Sequence, residues 1–351
     1  MKVDNKLAVV LMNLGGPDSP EAVYGFLRNL FSDPAIINLP TPFRQILSFI
    51  IAKKRTPLAK EIYKKIGGSS PIFQETNKQA EKLERILDND KLKIFISMRY
   101  WHPYSQETIK EIEKWGPDKL LIIPLYPQFS TTTTGSSVDD WIKNTKYKLK
   151  NVQTKVICCY PIDELFISAH ISLIKKELIK IVDKNSVRLL FSAHGLPESI
   201  INKGDPYAWQ IEQTVNKIVK SLDLKKDNWS LCYQSKVTPV KWLRPYTEEE
   251  IIRASTENKK IIIIPIAFVS EHSETLVELD KEYYDLAISN GVKTYVRIPA
   301  LGIQDQFIES LANIIRKNAD KFSEDFSIIS SFGQRICPNS FTKCRIKNIS
   351  K

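Results

Sequence analysis

The sequence predicts an α/β protein made of two similar lobes, each a parallel sheet flanked by helices. Short β-branched runs alternate with longer stretches of helical period, and some runs, such as 261–264, are apolar throughout, as strands covered on both faces must be. The strand ends also repeat in the same order. VVLMNLGGP at 9–17 resembles RLLFSAHGLP at 188–197, FISMRYWHP at 95–103 resembles LCYQSKVTP at 231–239, and LLIIPLYPQFSTT at 120–132 resembles IIIIPIAFVSEHS at 261–273.

Along the chain the expected strands are LAVVLMNL, KIFISMRY, LLIIPLY and KVICCYP in the first half, then RLLFSAH, WSLCYQS, IIIIPIAFVS and TYVRIPA in the second. The stretches 163–183 and 205–222 are long enough for the crossover helices that parallel strands need. These runs divide the chain into a first lobe at 1–160, a second at 161–325 whose last helix can pack back on the first, and a tail at 326–351. The first lobe carries an insertion at about 34–70. There Phe43, Ile46, Leu47, Ile50 and Ile51 fall at helical spacing ahead of Lys53, Lys54 and Arg55, a pattern that suits an interfacial helix as well as an ordinary packed one.

Composition excludes several classes. The 51 Lys and Arg against 40 Asp and Glu leave a net charge of +11, which favours an anionic partner: nucleic acid, an acidic small molecule or an anionic membrane surface. No apolar run is long enough to span a bilayer, the best candidate being the seven residues at 46–52. The N-terminus lacks a signal-peptide pattern, and five cysteines including the adjacent Cys158 and Cys159 do not suggest a disulfide framework, so a reducing cytoplasm is expected. Neither a G-x-G-x-x-G fingerprint nor a P-loop occurs, which removes the main support for nicotinamide or ATP.

Ligands of open α/β sheets bind beyond the carboxyl ends of the strands. Those positions carry Asn13 and Leu14; Arg99, Tyr100, Trp101 and His102; Tyr126; His194; Gln234, Ser235 and Lys236; and Glu271, His272 and Glu274. His194 ends a strand and precedes Gly195, whose missing side chain would leave room for a bulky ligand beside the imidazole. Glu271, Glu274 and Glu278 are spaced by three and four, so a helix would align them in one stripe of mutually repelling acids with raised pKa values, fit to pass cations or protons. The Gly15-Gly16-Pro17 turn reads as a tight βα connection, and STTTTGSS as a cap whose hydroxyls could also cradle a carboxylate or phosphate.

Seven segments together resemble the ferrochelatase family in its protoporphyrin-using branch: VLMNLGGPDSPEAVYGFLRNLFSD, KKRTPLAKEIYKKIGGSSPI, SMRYWHP, YPQFSTTTTGSS, LLFSAHGLPESIINKGDPY, CYQSKVTPVKWLRP and PIAFVSEHSETLVELDKEY. The resemblance implies two Rossmann-like lobes with a cleft and a lip, and insertion of Fe(II) into protoporphyrin IX with release of two protons, the last step of haem biosynthesis. It makes His194 and Glu274 the catalytic and iron-binding pair, with Glu271, His272 and Glu278 on the proton or metal path. It places Trp242 and Phe268 around the pocket, Arg55, Tyr63, Ser70 and Lys236 at the propionates, and Leu14, Arg99, Tyr100 and Tyr126 on the opposite face. Protoporphyrin IX and ferrous iron are the implied partners, with no organic cofactor, no nucleic acid and a peripheral contact with the cytoplasmic membrane through the lip; the oligomeric state stays open. Many members hold a [2Fe–2S] cluster, but Thr131 stands at one expected thiolate position and the tail offers only Cys337 and Cys344, so a cluster is not expected unless Cys158 or Cys159 substitutes. Two alternatives remain: a coproporphyrin-using ferrochelatase, against which the apolar lip speaks, and a non-catalytic tetrapyrrole-binding protein.

Overall fold

The computed structural model describes residues 5–145, 147–237, 239–323 and 326–346. The expected lobe and tail residues 1–4 and 347–351, and Thr238 of the second repeat, lie outside the described residues. The chain forms two compact units: Met1–Tyr160 with Ile308–Ile336 and Arg345–Lys351, and Pro161–Phe307 with Cys337–Cys344.

Nine strands occur among the described residues: β1 (Leu7–Asn13), β2 (Leu92–Met98), β3 (Lys119–Pro124), β4 (Gln153–Ile157), β5 (Val187–His194), β6 (Trp229–Gln234), β7 (Lys260–Pro265), β8 (Tyr295–Arg297) and β9 (Ser327–Ile329). All pair in parallel, in the order β2-β1-β3-β4-β9 in one unit and β6-β5-β7-β8 in the other. The first four strands of each unit therefore follow one topology, as the repeated strand ends predict. Both central strands are buried, β1 at every position and β5 up to Ala193. Burying such a side chain contributes about 1.5–3 kcal/mol. Val10, Ile122 and Trp141 lie in the core of the first unit, and Leu190, Ile263 and Tyr283 in that of the second.

The repeat runs deeper than the sequence comparison found, and in one place along a different alignment. Met98 at the end of β2 bridges Tyr104, and Tyr233 near the end of β6 bridges Tyr246. Each tyrosine caps a helix whose third residue returns a carboxylate to the cap N–H, Glu107 at 2.7 Å and Glu249 at 3.1 Å. The second-half counterpart of Pro103 is thus Pro245, not Pro239. Extra residues between Tyr233 and Tyr246 displaced the match.

The segment read as a tail is also more than an appendage. Ser327–Ile329 is β9, and the Cys158 N–H donates to the Ile329 carbonyl at 2.7 Å. Three residues beside a polar stretch gave no alternation to detect.

In the insertion, one helix runs from Thr41 to Lys64 with Pro57 inside it. Its packed side is small or polar, with Ser48 and Ala52 fully buried, and Arg28 binds it by donating to the Gln45 carbonyl at 2.7 Å and Ser48 Oγ at 3.0 Å. Its outer side is apolar: Phe43 is 65%, Ile46 61% and Ile50 53% exposed. A packed helix ordinarily turns these faces the other way.

Candidate active site

β5 delivers His194 to the carboxyl edge of the second sheet, in register with Gln234 at the end of β6. His194 Nδ1 lies 2.7 Å from the Gly195 carbonyl oxygen. A carbonyl can only accept, so Nδ1 carries the proton and the lone pair of the neutral ring sits on Nε2. The strand end itself is held by the Tyr207 hydroxyl, which donates to the His194 carbonyl at 2.9 Å. Gly195 does not leave ligand space as expected. A Cβ there would stand 3.0 Å from the Gln234 carbonyl oxygen and 3.3 Å from Trp242 Cε3, so the glycine admits the Trp242 ring.

Beyond β7 the chain passes Phe268, whose ring lies 6.5 Å from that of His194 and 4.4 Å from that of His272. It then enters a π-helix, Glu274–Glu282. Such wide turns are rare and often mark functional sites. His272 Nδ1 stands 2.6 Å from Glu274 Oε2. Burial alone would raise the Glu274 pKa, but the imidazole of His272 and its hydrogen bond, together with the charge of His194, hold this carboxyl below the usual carboxylate range.

Glu278 behaves oppositely. It accepts from the Ser235 N–H and Gln234 Nε2, each at 2.8 Å, and from the Tyr283 hydroxyl at 3.0 Å. Burial nevertheless pushes its carboxyl up, and the charge of Glu274 adds to the rise. Two neighbouring carboxyls pushed apart in this way are suited to different protonation states at one pH.

The three-acid stripe is therefore not uniform, as the spacing suggested, and its members are not all raised. Glu271 precedes the π-helix and is tied down by Arg297 at 2.5 Å, the Ala300 N–H at 2.9 Å and the Thr275 hydroxyl. Burial would raise its pKa; the Arg297 charge and these bonds lower it. Of the expected site residues, the second unit thus gathers His194, Trp242, Phe268, His272, Glu274 and Glu278. Lys236 stands apart and exposed, its ammonium 4.8 Å over the Tyr246 ring.

The first unit gathers a different set. Arg99 donates to Asp33 Oδ2 at 2.8 Å and Ser136 Oγ at 2.7 Å, and the Tyr100 hydroxyl donates to the same Asp33 oxygen at 2.8 Å. Leu14 packs in the cluster that contains Tyr63 and Tyr100, and its carbonyl accepts the Tyr100 N–H. Tyr126 is half-buried, its hydroxyl fully enclosed, and burial pushes its pKa up. Arg55 lies 5.7 Å over the Phe31 ring, half-buried. Ser70 is 4% exposed and packs where a Gly16 Cβ would be, 2.5 Å away, so its first role is the turn. Asp33 and Arg297 were not anticipated, each being distant in sequence from the groups it binds, whereas Ser136 belongs to the STTTTGSS run whose hydroxyls could cradle a carboxylate, here that of Asp33. Gln234 and Ser235, by contrast, stood among the strand-end positions.

No group of three or more His, Cys, Asp or Glu among the described residues is placed to hold a metal ion. Cys158 and Cys159 are buried in the first unit, whereas Cys337 and Cys344 belong to the second.

A family model described as ferrochelatase matches residues 6–319. The chain is 51% identical to a ferrochelatase of Rickettsia bellii, over 98% of this chain and 96% of that protein. It is 49% identical to a ferrochelatase of Pelagibacter ubique, over 98% and 99%. Among solved structures, SirB from Bacillus subtilis with Fe3+ superposes with a TM-score of 0.55 at 13% identity, covering 91% of this chain and 100% of that one. The sirohydrochlorin chelatase SirB of Bacillus subtilis subspecies spizizenii in complex with cobalt gives 0.53 at 11%, covering 90% and 96%. Both share the fold.

Proposed function

Because the chain belongs to the ferrochelatase family and so inserts ferrous iron into protoporphyrin in haem synthesis, we propose that His194 is the base of that reaction, that Glu278 receives its protons and that Glu274 stays ionised beside it. A porphyrin must lose two N–H protons before four nitrogens can bind iron, and the products are protohaem and two protons. The observation that carries the assignment is the Nδ1 contact with the Gly195 carbonyl, which fixes the tautomer and leaves Nε2 as acceptor. A proton taken there makes an imidazolium, and both Glu274 and Glu278 feel the charge of His194. Glu274, held ionised, stabilises the imidazolium. Glu278, whose carboxyl burial pushes up, accepts a proton more readily than Glu274 and can pass it on.

Iron would meet Nε2 of His194 and the Glu274 carboxylate as transient ligands, a mixed nitrogen and oxygen pair that does not trap the ion as thiolates would. Phe268 and Trp242 supply ring-facing surface. Arg55 and Lys236 are the cations offered to the propionates; Tyr63 and Ser70 are buried and support the local structure. Arg99, Tyr100, Tyr126 and Leu14 are proposed as substrate-binding residues. The Arg99 charge is already balanced by Asp33, which favours a positioning role for Arg99.

We also propose that the Thr41–Lys64 helix rests on the inner face of the cytoplasmic membrane. Among the described residues no helix is long and apolar enough to cross a membrane. The apolar outer face of this helix and its Lys53 and Lys54 suit a peripheral contact, and the same surface favours a porphyrin with two carboxylates over one with four.

Anaerobic Fe(II) insertion into protoporphyrin IX and into coproporphyrin, followed by absorbance, tests the reading. Wild type is expected to prefer protoporphyrin, and His194→Ala to lose about 10²–10⁴-fold in kcat, the usual worth of a positioned base. Wild type that binds protoporphyrin without metallating it refutes the activity. Full activity in His194→Ala refutes the assignment.

A further inference from the structure

At the opposite end of the second sheet from His194, a cavity of about 630 Å³ opens beside the first residues of β5 and β6. Four cations line it, Arg188, Lys226, Arg253 and Lys259, against the two carboxylates of Asp227 and Glu257 and the ring of Trp229. Arg188 is the anchor. Its side chain is 3% exposed, yet only Nη2 is paired, with Glu257. Among the described residues, Nε and Nη1 have no hydrogen-bond partner.

A guanidinium buried with free donors is costly unless an acceptor reaches it. Glu257 cannot serve fully, because its side chain is 41% exposed and its other oxygen lies 3.9 Å from Arg253 Nε. Arg253 is itself occupied by Glu250 at 2.7 Å and Ser230 Oγ at 2.8 Å. Lys226 adds an ammonium at the same opening. The unpaired Nε–H and Nη1–H₂ lie on separate edges of the guanidinium plane, so they call for more than one acceptor oxygen. Several cations around spaced donors are what an anion with many oxygens requires.

We propose that this cavity binds a small phosphate-class oxyanion. Arg188 supplies the buried donors, Lys226 the open cationic rim and Trp229 one wall, while the half-buried Lys259, bonded to the Asn185 carbonyl at 2.5 Å, adds positive charge. β5 separates the cavity from His194 by roughly 20 Å, at about 3.3 Å per residue, so a ligand here does not touch the reacting porphyrin. The site is distinct from the metal-insertion chemistry and does not depend on it.

Calorimetric titration of the full-length protein with inorganic phosphate, and separately with inorganic pyrophosphate, at low ionic strength tests the proposal. One saturable site is expected for at least one of the two. Lys226→Ala should weaken it about tenfold or more, and Arg188→Gln should abolish it, as loss of charge-assisted hydrogen bonds implies. His194→Ala should bind as wild type does, and Lys226→Ala should keep its rate of iron insertion. No saturable binding of either anion up to about 10 mM, well above the millimolar range of the weakest specific sites, would overturn the proposal. So would binding that His194→Ala removes and Lys226→Ala leaves intact, whether or not Arg188→Gln folds.

Discussion

His272 Nδ1 and Glu274 Oε2 stand 2.6 Å apart, and the Glu274 N–H donates to the same Nδ1 at 3.1 Å. The imidazole beside it holds the Glu274 carboxyl below the usual carboxylate range despite burial. Glu274 is then a carboxylate stabilised by a partner two residues away, and it adds stability above the ordinary carboxylate range that is lost as pH falls through its lowered value.

In His272→Ala, burial becomes the dominant influence on Glu274 and its pKa rises. Activity that needs the carboxylate ionised should then fail at higher pH on the acid side, with a loss of about 10–100-fold near the wild-type optimum. The pH profile of kcat/KM checks this. An acid limb unmoved in the variant contradicts the pairing.

His170 sits fully buried against Phe166, and burial pushes its pKa down to about 3 from an ordinary 6.5. The unfolded chain takes up this proton first, so stability falls between about pH 6.5 and 3 as acid is added, by about 1.4 kcal/mol per pH unit. Denaturant titrations of His170→Phe across that window should lack this component of the slope. Parallel curves for variant and wild type would disprove it.

Gly16→Ala places a Cβ 2.5 Å from Ser70 Cβ and should cost about 1–3 kcal/mol or more through overpacking. Ser70→Gly removes the obstructing atoms. The double variant should recover most of the loss, and a cycle measured by urea unfolding with no coupling between the two sites would sink the explanation.

Ile46→Asp with Ile50→Asp changes side chains already 61% and 53% exposed, so the fold should survive. Co-sedimentation with vesicles containing anionic lipid should fall sharply. Added salt should weaken the wild-type interaction, by roughly 1 kcal/mol per screened Lys or Arg. Sedimentation indifferent to both changes would exclude the membrane contact.

The two parallel sheets were legible because their central strands are continuous apolar runs and because the strand ends repeat. The site positions were legible for the same reason: a strand that ends in His194 can present it only at one edge. The π-helix was not. Glu271, Glu274 and Glu278 have the spacing of an α-helix stripe, and only tertiary packing by Arg297, Thr275 and Ser235 separates their roles. Asp33 was equally hidden, since a single acid in FSDP gives no sign that Arg99, Tyr100 and Ser136 will converge on it. Gly195 was misread because a missing side chain looks the same whether a ligand or a tryptophan fills the gap.

The pairing of β9 with β4 also bears on how the chain is made. Ribosomes deliver residues in order, and domains tend to fold as they emerge. The strand that covers the edge of the first sheet is among the last segments to leave the tunnel, after Pro161–Phe307 of the second unit. While the chain from Pro161 to Phe326 is being made, one edge of β4 presents unpaired N–H and C=O groups, the kind of edge that recruits stray strands. Nascent chains stalled before Ser327 should therefore be cleaved within the first unit by protease while the second unit resists. The late strand makes completion of the first half wait for the end of translation.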